Sequence, residues 1–361
     1  MSRRRLKINL MTAGLTPGDA ISNYMVSKAR LLREMGARVD IYADFIHPDL
    51  AHAAHHSSLY TDTGEAILWY HFSIYADNVQ IAMTSHDYKI MDYHGICPPR
   101  LYKGQNEHLR YLCQSGIDLL PDFVAHFRRY VVHTEYTRQQ LLDLGCKAQR
   151  VEKIALGVDT SHLGGDEDAA LADLLGNLDY LLFVGRVVPQ KDILASLAIF
   201  AELQRRRPQM AYFIVGSRQH TARYQRQLER FVADRNLSSR VMFTGQVNNP
   251  ALLAALFRNA TFYLATSEWE SFCVPLAESL FFGVPTVVHD VAPLPEVSGP
   301  GGLVVDKHNP RAAAGQILSV LEDDERYRAL SHAAAAWAEQ YTDETLQKNL
   351  IRFLQRIATN G

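Results

Sequence analysis

The chain has 361 residues, with 47% hydrophobic residues, 21% charged residues and a formal net charge of −2. That is the profile of a soluble globular protein with room for two ordinary domains, and it gives no support for nucleic-acid binding. Cys97, Cys113, Cys146 and Cys273 are widely spaced with no C-x-x-C pair, which indicates neither a zinc site nor a disulfide framework, so a reducing cytoplasm is the expected location.

No apolar run reaches the ~20 residues needed to span a bilayer. Ser2-Arg3-Arg4-Arg5 leads into a short strand rather than the core of a signal peptide. It reads as a solvated terminus, with peripheral contact to an anionic inner membrane face as the alternative.

The first strand is expected over 6–13, followed by a Gly/Pro turn over 14–22. A helix follows from about Asn23 to Met35, stopped by Gly36, and then a second strand, RVDIYAD. This is a βαβ opening with a glycine-bearing first loop. Residues 45–66 read as a surface loop. His47, His52, His55 and His56 cluster there, but no cysteine or paired carboxylate completes a metal-ligand set.

EAILWYHFS, NVQIAMTS and KIMDYHGI read as three strand-like runs. His94 ends the third, and a histidine at the carboxyl end of a strand faces the ligand crevice of an open α/β sheet. His71, in the first run, is the second candidate. For each, the alternative is a hydrogen-bonded structural histidine. Residues 105–120 read as helix, and YVVHTEYT as a strand running into a helix cap. Residues 163–178 read as a linker whose glycines and acidic residues mark a surface crossing. Asp166-Glu167-Asp168 has the form of a D-x-D metal motif, but a linker position argues against that use.

The second half alternates strands and helices, which predicts a parallel, doubly wound sheet. YLLFVG, a continuous apolar strand, ends at Gly185-Arg186, with Lys191 in the next turn. Arg offers a planar fork of donors and Lys a mobile point charge, and both suit phosphate oxygens. Further strands are expected in 210–217, 240–247, 261–267, 285–290 and 302–306. Residues 310–358 are expected to be helical.

The richest stretch is TFYLATSEWESFCVPLAESLFFGVPTVVHD, 261–290. It reads as strand, loop, helix, turn, strand. Pro275 suits a helix start, and Gly283 suits its end. Neither Cys273 nor Val274 is a good capping residue. The amides of Phe272, Cys273 and Val274 therefore form an expected anion site, helped by the helix dipole. Glu270 lies in the loop and Glu278 just inside the helix. Taken alone, a first-turn glutamate is commonly only a dipole partner.

Glu270-Ser271-Phe272-Cys273-Val274-Pro275-Leu276-Ala277-Glu278, followed by Gly283-Val284-Pro285, resembles the E-x7-E motif of retaining GT-B glycosyltransferases, family 4 (group 1) above all. The chain departs from the usual pattern at Ser271 and Cys273, where glycines are common. Gly185-Arg186 with Lys191 resembles the G-R-x-x-x-x-K signature of the same family, and the likeness extends over nearly the whole chain. It implies a GT-B fold: α/β, two Rossmann-like doubly wound parallel-sheet domains facing a central cleft. The N-terminal, acceptor-side domain is expected over 1–162, joined by a C-terminal helix at about 342–361. The C-terminal, nucleotide-sugar-binding domain is expected over 179–341.

The implied activity is transfer of a hexose, with retention, from a nucleotide diphosphate sugar to a hydroxyl acceptor such as a glycan, a lipid-linked glycan or a small molecule. Arg186, Lys191 and the amides of residues 272–274 would hold the diphosphate. Glu278 would hold the ribose, and Gly18 and Asp19 would approach the donor. Glu270 and His94 are the implied catalytic residues. No cofactor and no metal are expected. A front-face route is generally favoured in this family, with the departing phosphate helping to deprotonate the acceptor. Two rival readings stand beside this one: a nucleotide-sugar epimerase of the same architecture, and a non-catalytic nucleotide- or sugar-binding subunit.

Overall fold

The structure is a computed structural model and describes residues 5–158, 160, 163, 169–218 and 222–360. The acidic run Asp166-Glu167-Asp168 lies outside the described residues. The chain divides into two compact units, Met1–Asp159 with Tyr341–Gly361, and Thr160–Gln340.

The first unit is built on strands β1 (Lys7–Leu15), β2 (Arg38–Ile46), β3 (His55–His56), β4 (Ile67–Phe72), β5 (Tyr88–Tyr93), β6 (Arg129–Val132) and β7 (Val151–Lys153), which form one sheet in the order β3-β2-β1-β4-β5-β6-β7. Neighbouring strands are parallel. Parallel strands need crossovers, supplied here by helices α1 (Ala20–Glu34), α2 (Val79–Thr84), α3 (Glu107–Phe123) and α4 (Glu135–Asp143). The strand order reverses between β1 and β4, so the ligand crevice of such a sheet lies at their carboxyl ends.

Three expectations are corrected in this unit. NVQIAMTS forms α2 rather than a strand. Its Val79 and Ile81 alternate as strand residues do, but Val79 and Ala82 form the buried face, three residues apart. Asn78 anchors the helix start: it accepts from the Tyr70 hydroxyl at 2.6 Å and donates to the Thr12 carbonyl at 2.7 Å. Helix α1 begins at Ala20, because Asp19 caps it by accepting from the Ser22 amide at 3.0 Å. Finally, the stretch 45–66 contains the edge strand β3, which pairs His55 and His56 with Tyr42 and Ala43.

The second unit carries β8 (Tyr180–Val184), β9 (Ala211–Val215), β10 (Val241–Gly245), β11 (Phe262–Ala265), β12 (Thr286–His289) and β13 (Gly302–Val305) in the order β10-β9-β8-β11-β12-β13. Its helices are α5 (Ala169–Gly176), α6 (Ile193–Gln204), α7 (Ala222–Asp234), α8 (Pro250–Arg258), α9 (Val274–Phe281), α10 (Leu294–Ser298), α11 (Pro310–Leu321) and α12 (Asp324–Ala338). The core of this unit joins Leu181, Phe183, Leu197, Phe200, Tyr212 and Ile214 across β8, β9 and α6. Tyr180–Val184 is buried along nearly its whole length, as a strand covered on both faces must be. The sheet order reverses between β8 and β11, which sets this unit's crevice at their carboxyl ends.

The last helix, α13 (Asp343–Asn360), belongs to the first unit. Leu346, Leu350 and Phe353 are buried, and the Phe353 ring meets that of Trp69 at 5.4 Å between centroids.

Candidate active site

In the second unit, the segments leaving β8 and β11 carry most of the residues singled out by sequence. Gly185 (φ 151°) follows β8, and Gly216 (φ 146°) follows β9. A Cβ on Gly216 would lie 1.8 Å from the Gly185 carbonyl oxygen, so only glycine allows these two strand ends to approach so closely. Arg186 is exposed. A short turn, Pro189–Lys191, brings the chain to Asp192, which adopts the left-handed conformation (φ 46°, ψ 53°) and caps α6.

Lys191 Nζ donates to Glu270 Oε1 at 2.5 Å, and Ser267 Oγ donates to the same oxygen at 2.7 Å. The lysine side chain is 16% exposed and the glutamate 8%. Burial opposes the Lys191 charge, but the neighbouring Glu270 carboxylate outweighs it, and the ammonium is held above its ordinary range. The Arg186 cation lies near enough to pull the other way.

Helix α9 begins at Val274, with Pro275 as its second residue. Its N-cap, Cys273, is left-handed (φ 86°, ψ 75°) and makes no side-chain cap. Gly283 (φ 66°) closes the helix, its amide donating to the Leu280 carbonyl at 2.9 Å. A helix N-terminus without a side-chain cap presents the positive end of the dipole and its leading amides. Phe272 and Cys273 are buried and Val274 partly so. Burial, with the Glu270 charge beside it, pushes the Cys273 thiol up to about 12. Glu278 is 7% exposed and sits one turn into the helix.

Two residues that sequence reasoning missed tie this region together. Tyr263, on β11, donates its hydroxyl to the Val184 carbonyl at 3.1 Å, at the end of β8. Burial first, then the charges of Cys273, Glu270 and Glu278, raise the Tyr263 phenol well above its ordinary range. One side chain therefore senses all three candidates of the α9 region. Its place in an apolar strand masked it.

Lys307 follows β13 and is 2% exposed. Its ammonium meets Asp192 Oδ2 at 2.8 Å and the Glu268 carboxylate, and donates to the Thr266 carbonyl at 3.1 Å. Thr266 Oγ1 in turn donates to the Asp192 carbonyl at 2.9 Å. The lysine thereby pins the Lys191 turn to the Glu270 loop. The only sequence signal for it was a lone lysine just beyond a strand.

In the first unit, Gly18 (φ 75°) and Asp19 are exposed at the carboxyl end of β1. Asp19 also caps α1, so the loop is closed by its own hydrogen bonds. His94 is enclosed, 3% exposed, among His71, Asp92 and His133. Its Nε2 meets His71 Nδ1 at 2.9 Å. Burial, against the pull of Asp92, brings the His94 pKa down to about 3, so the ring is neutral at physiological pH. Lys28, also enclosed, meets Asp92 Oδ2 at 2.6 Å and lies over the Trp69 ring at 3.4 Å. Burial lowers the Lys28 pKa to about 8. Two of the loop histidines serve local turns: the His47 ring accepts from the Asp49 amide and the His56 ring from the Ser58 amide.

Residues 172–337 match the family model for glycosyl transferases group 1. A D-inositol 3-phosphate glycosyltransferase of Segniliparus rotundus is 29% identical over 237 residues, covering 63% of this chain and 52% of that protein. The chain thus spans about half the length of such relatives. An Escherichia coli O-antigen chain mannosyltransferase B is 35% identical over 92 residues, 26% of this chain and 24% of its own length. Among solved structures, sucrose-phosphate synthase from Thermosynechococcus elongatus superposes with a TM-score of 0.76 at 17% identity, covering 99% of this chain and all of that one. Anabaena HepE in complex with UDP-glucose gives a TM-score of 0.76 at 15% identity, over 98% of this chain and all of that one. The chain has the GT-B fold, and residues 172–337, within its second unit, match the family model for glycosyl transferases group 1.

Proposed function

We propose that the chain transfers a hexose, with retention at the anomeric carbon, from a nucleotide diphosphate sugar to a hydroxyl acceptor, without a metal on the diphosphate. The observation that carries this reading is the Lys191–Glu270 pair at the β8/β11 switch point, beside a helix start with no side-chain cap.

The leaving group is an anionic diphosphate. Arg186 supplies a bidentate fork, Lys191 a point charge, and the leading amides of α9 a fixed dipole. Such preorganised donors stabilise charge as it develops on the departing oxygen. Glu278 accepts hydrogen bonds from the ribose hydroxyls. Glu270 faces the hexose and stabilises its growing positive charge, handing Lys191 to the phosphate as the donor binds. The Cys273 side chain narrows the sugar side of the pocket.

A histidine with a pKa of about 3 is poorly matched to proton abstraction at neutral pH. The front-face route asks for no protein base, since the departing phosphate takes the acceptor proton. His94 is therefore assigned no proton-transfer step. The solved relatives named with UDP and UDP-glucose make a nucleotide-sugar donor the first to try.

The test is a donor screen that follows release of UDP, GDP and TDP from their sugars, with and without candidate acceptors. Acceptor-stimulated release of one nucleotide supports the reading. Interconversion of the sugar without transfer would favour the epimerase, and binding without turnover would favour the non-catalytic subunit.

A further inference from the structure

The ring protons of the buried histidines in the first unit are placed by the groups around them. His71 stands near the end of β4, Asp92 near the end of β5, with His94 just beyond it, and His133 just beyond β6. Parallel register pairs His71 with Asp92, so the two side chains share one face of the sheet. Lys28 comes to them from α1. All five side chains are buried, so the protein, more than bulk water, sets where their protons sit.

The chain of contacts starts at Lys28. An ammonium has donors and no lone pair. Lys28 Nζ donates to Asp92 Oδ2 at 2.6 Å and faces His71 Nε2 at 3.4 Å. Burial lowers the Lys28 pKa only to about 8, against the pull of that carboxylate, so the group is mostly charged at neutral pH. His71 Nε2 therefore presents its lone pair to the ammonium. Burial also holds the His71 pKa well below its ordinary range, so the ring is neutral and its one proton sits on Nδ1. His71 Nδ1 lies 2.9 Å from His94 Nε2, with the two rings 21° from coplanar, as an in-plane N–H···N bond requires. His94 Nε2 is then the acceptor. His94 is neutral as well, with a pKa of about 3, which leaves its proton on Nδ1.

The rival arrangement puts that proton on His94 Nε2, donated to Asp92 Oδ1 at 3.4 Å. Two observations weigh against it. First, His133 Nε2 is closer to the same oxygen, at 2.7 Å. His133 Nδ1 donates to the Ile154 carbonyl at 2.9 Å, so this ring donates from both nitrogens and meets Asp92 as a cation. Its N–H lies off the line to Oδ1, and charge more than alignment holds the pair. Second, a proton on His94 Nε2 would force the His71 proton onto Nε2, where it would face the Lys28 ammonium donor to donor. Asp92 Oδ2 gives no relief, since Lys28 and Trp69 Nε1, at 3.1 Å, already occupy it.

We propose that Lys28 and His71 are positioning residues that hold His94 as its Nδ1–H tautomer, so that His94 offers a ligand one hydrogen-bond donor. His94 Nδ1 makes no hydrogen bond among the described residues. Such a group recognises an oxygen lone pair, on the transferase reading that of a sugar hydroxyl, and takes no proton from it. The class of ligand rests on that reading; the tautomer does not.

The test is histidine nitrogen NMR of the full chain at neutral pH, with neither donor nor acceptor present, so it is independent of any activity. A protonated ring nitrogen resonates far upfield of a bare one. The His71 and His94 signals are assigned by their loss in His71→Asn and His94→Gln. In the wild-type chain both rings should be protonated on Nδ1 and bare on Nε2. In His71→Asn the amide stands where Nδ1 stood and still donates, so His94 should keep its Nδ1 proton. In His71→Leu that donor is gone, and the His94 proton should shift, wholly or in part, to Nε2. Lys28→Met should release both rings in the same way. A wild-type His94 protonated on Nε2 or on both nitrogens would overturn the proposal. So would loss of the Nδ1 proton in His71→Asn, or a His94 tautomer unchanged in His71→Leu or Lys28→Met. Where either of those two variants fails to fold, the wild-type tautomers and the His71→Asn spectrum decide.

Discussion

Lys191 Nζ lies 2.5 Å from Glu270 Oε1, so the lysine assigned to the diphosphate is held, before any donor arrives, by the glutamate assigned to the hexose. The two are competitors for one charge. On the proposed reading, a diphosphate brought against Lys191 replaces a carboxylate with a stronger array of oxygens, and Glu270 is released toward the sugar. Loading the donor and arming the glutamate are then a single exchange of partners.

Lys191→Ala should weaken nucleoside-diphosphate binding and slow transfer by about 2–4 kcal/mol together. The same change leaves the Glu270 carboxylate buried without its cation, which lowers stability. In the double variant Lys191→Ala/Glu270→Gln, the stability cost should therefore be smaller than the sum of the single costs. Denaturant unfolding of the four proteins measures the coupling, and strict additivity would mean the pair contributes nothing.

Lys307→Met should act at a distance from any ligand. It removes the cation shared by Asp192 and Glu268, at a stability cost of about 1–3 kcal/mol. Because Asp192 follows Lys191 directly and Glu268 precedes Glu270 by two residues, nucleotide affinity should fall as well. Unfolding together with nucleotide titration checks both. Lost stability with unchanged affinity would mean that the two segments hold their geometry without Lys307.

Cys273 combines a left-handed backbone with a buried thiol pushed up to about 12. Cys273→Gly should relieve roughly 1 kcal/mol of backbone strain and raise the melting temperature, while Cys273→Val should lower it. The thiol stays protonated at pH 8, so a thiol reagent should react slowly at Cys273 in the folded chain. Mass mapping of the labelled cysteines reads this, and rapid labelling at Cys273 would contradict it.

On the proposed reading, in which cationic side chains and helix amides meet the diphosphate, transfer measured in the presence of EDTA should match transfer with magnesium or manganese. Loss of activity restored by magnesium or manganese would place a cation on the diphosphate and return attention to Asp166-Glu167-Asp168.

The fold was legible because its strands are short apolar runs ending in glycine or polar residues, as at Val184-Gly185, and because strands alternate with helices. The error at 78–85 arose because Val79 and Ile81 satisfy period 2, while the helical face rests on Val79 and Ala82. The residues of the α9 region were legible through local chemistry: a proline near the helix start, no capping side chain, and carboxylates on either side. What could not be read was pairing across the sequence. Lys191 meets Glu270 across 79 positions, and Lys307 reaches Glu268 and Asp192 from the far edge of the sheet. Nor did period or spacing show that His71, Asp92, His94 and His133 meet, because strand register brings them together.

The division of labour between the two glutamates is the centre of this account, and calorimetry with the bare nucleoside diphosphate tests it most directly. Glu278→Gln should lose about tenfold to a hundredfold in affinity, since hydrogen bonds to a charged acceptor contribute about 1.5–3 kcal/mol. Glu270→Gln should bind the nucleotide as tightly as the wild type or more tightly, because the competitor for Lys191 is gone, while its turnover falls. Equal loss of nucleotide affinity in the two variants would contradict the account.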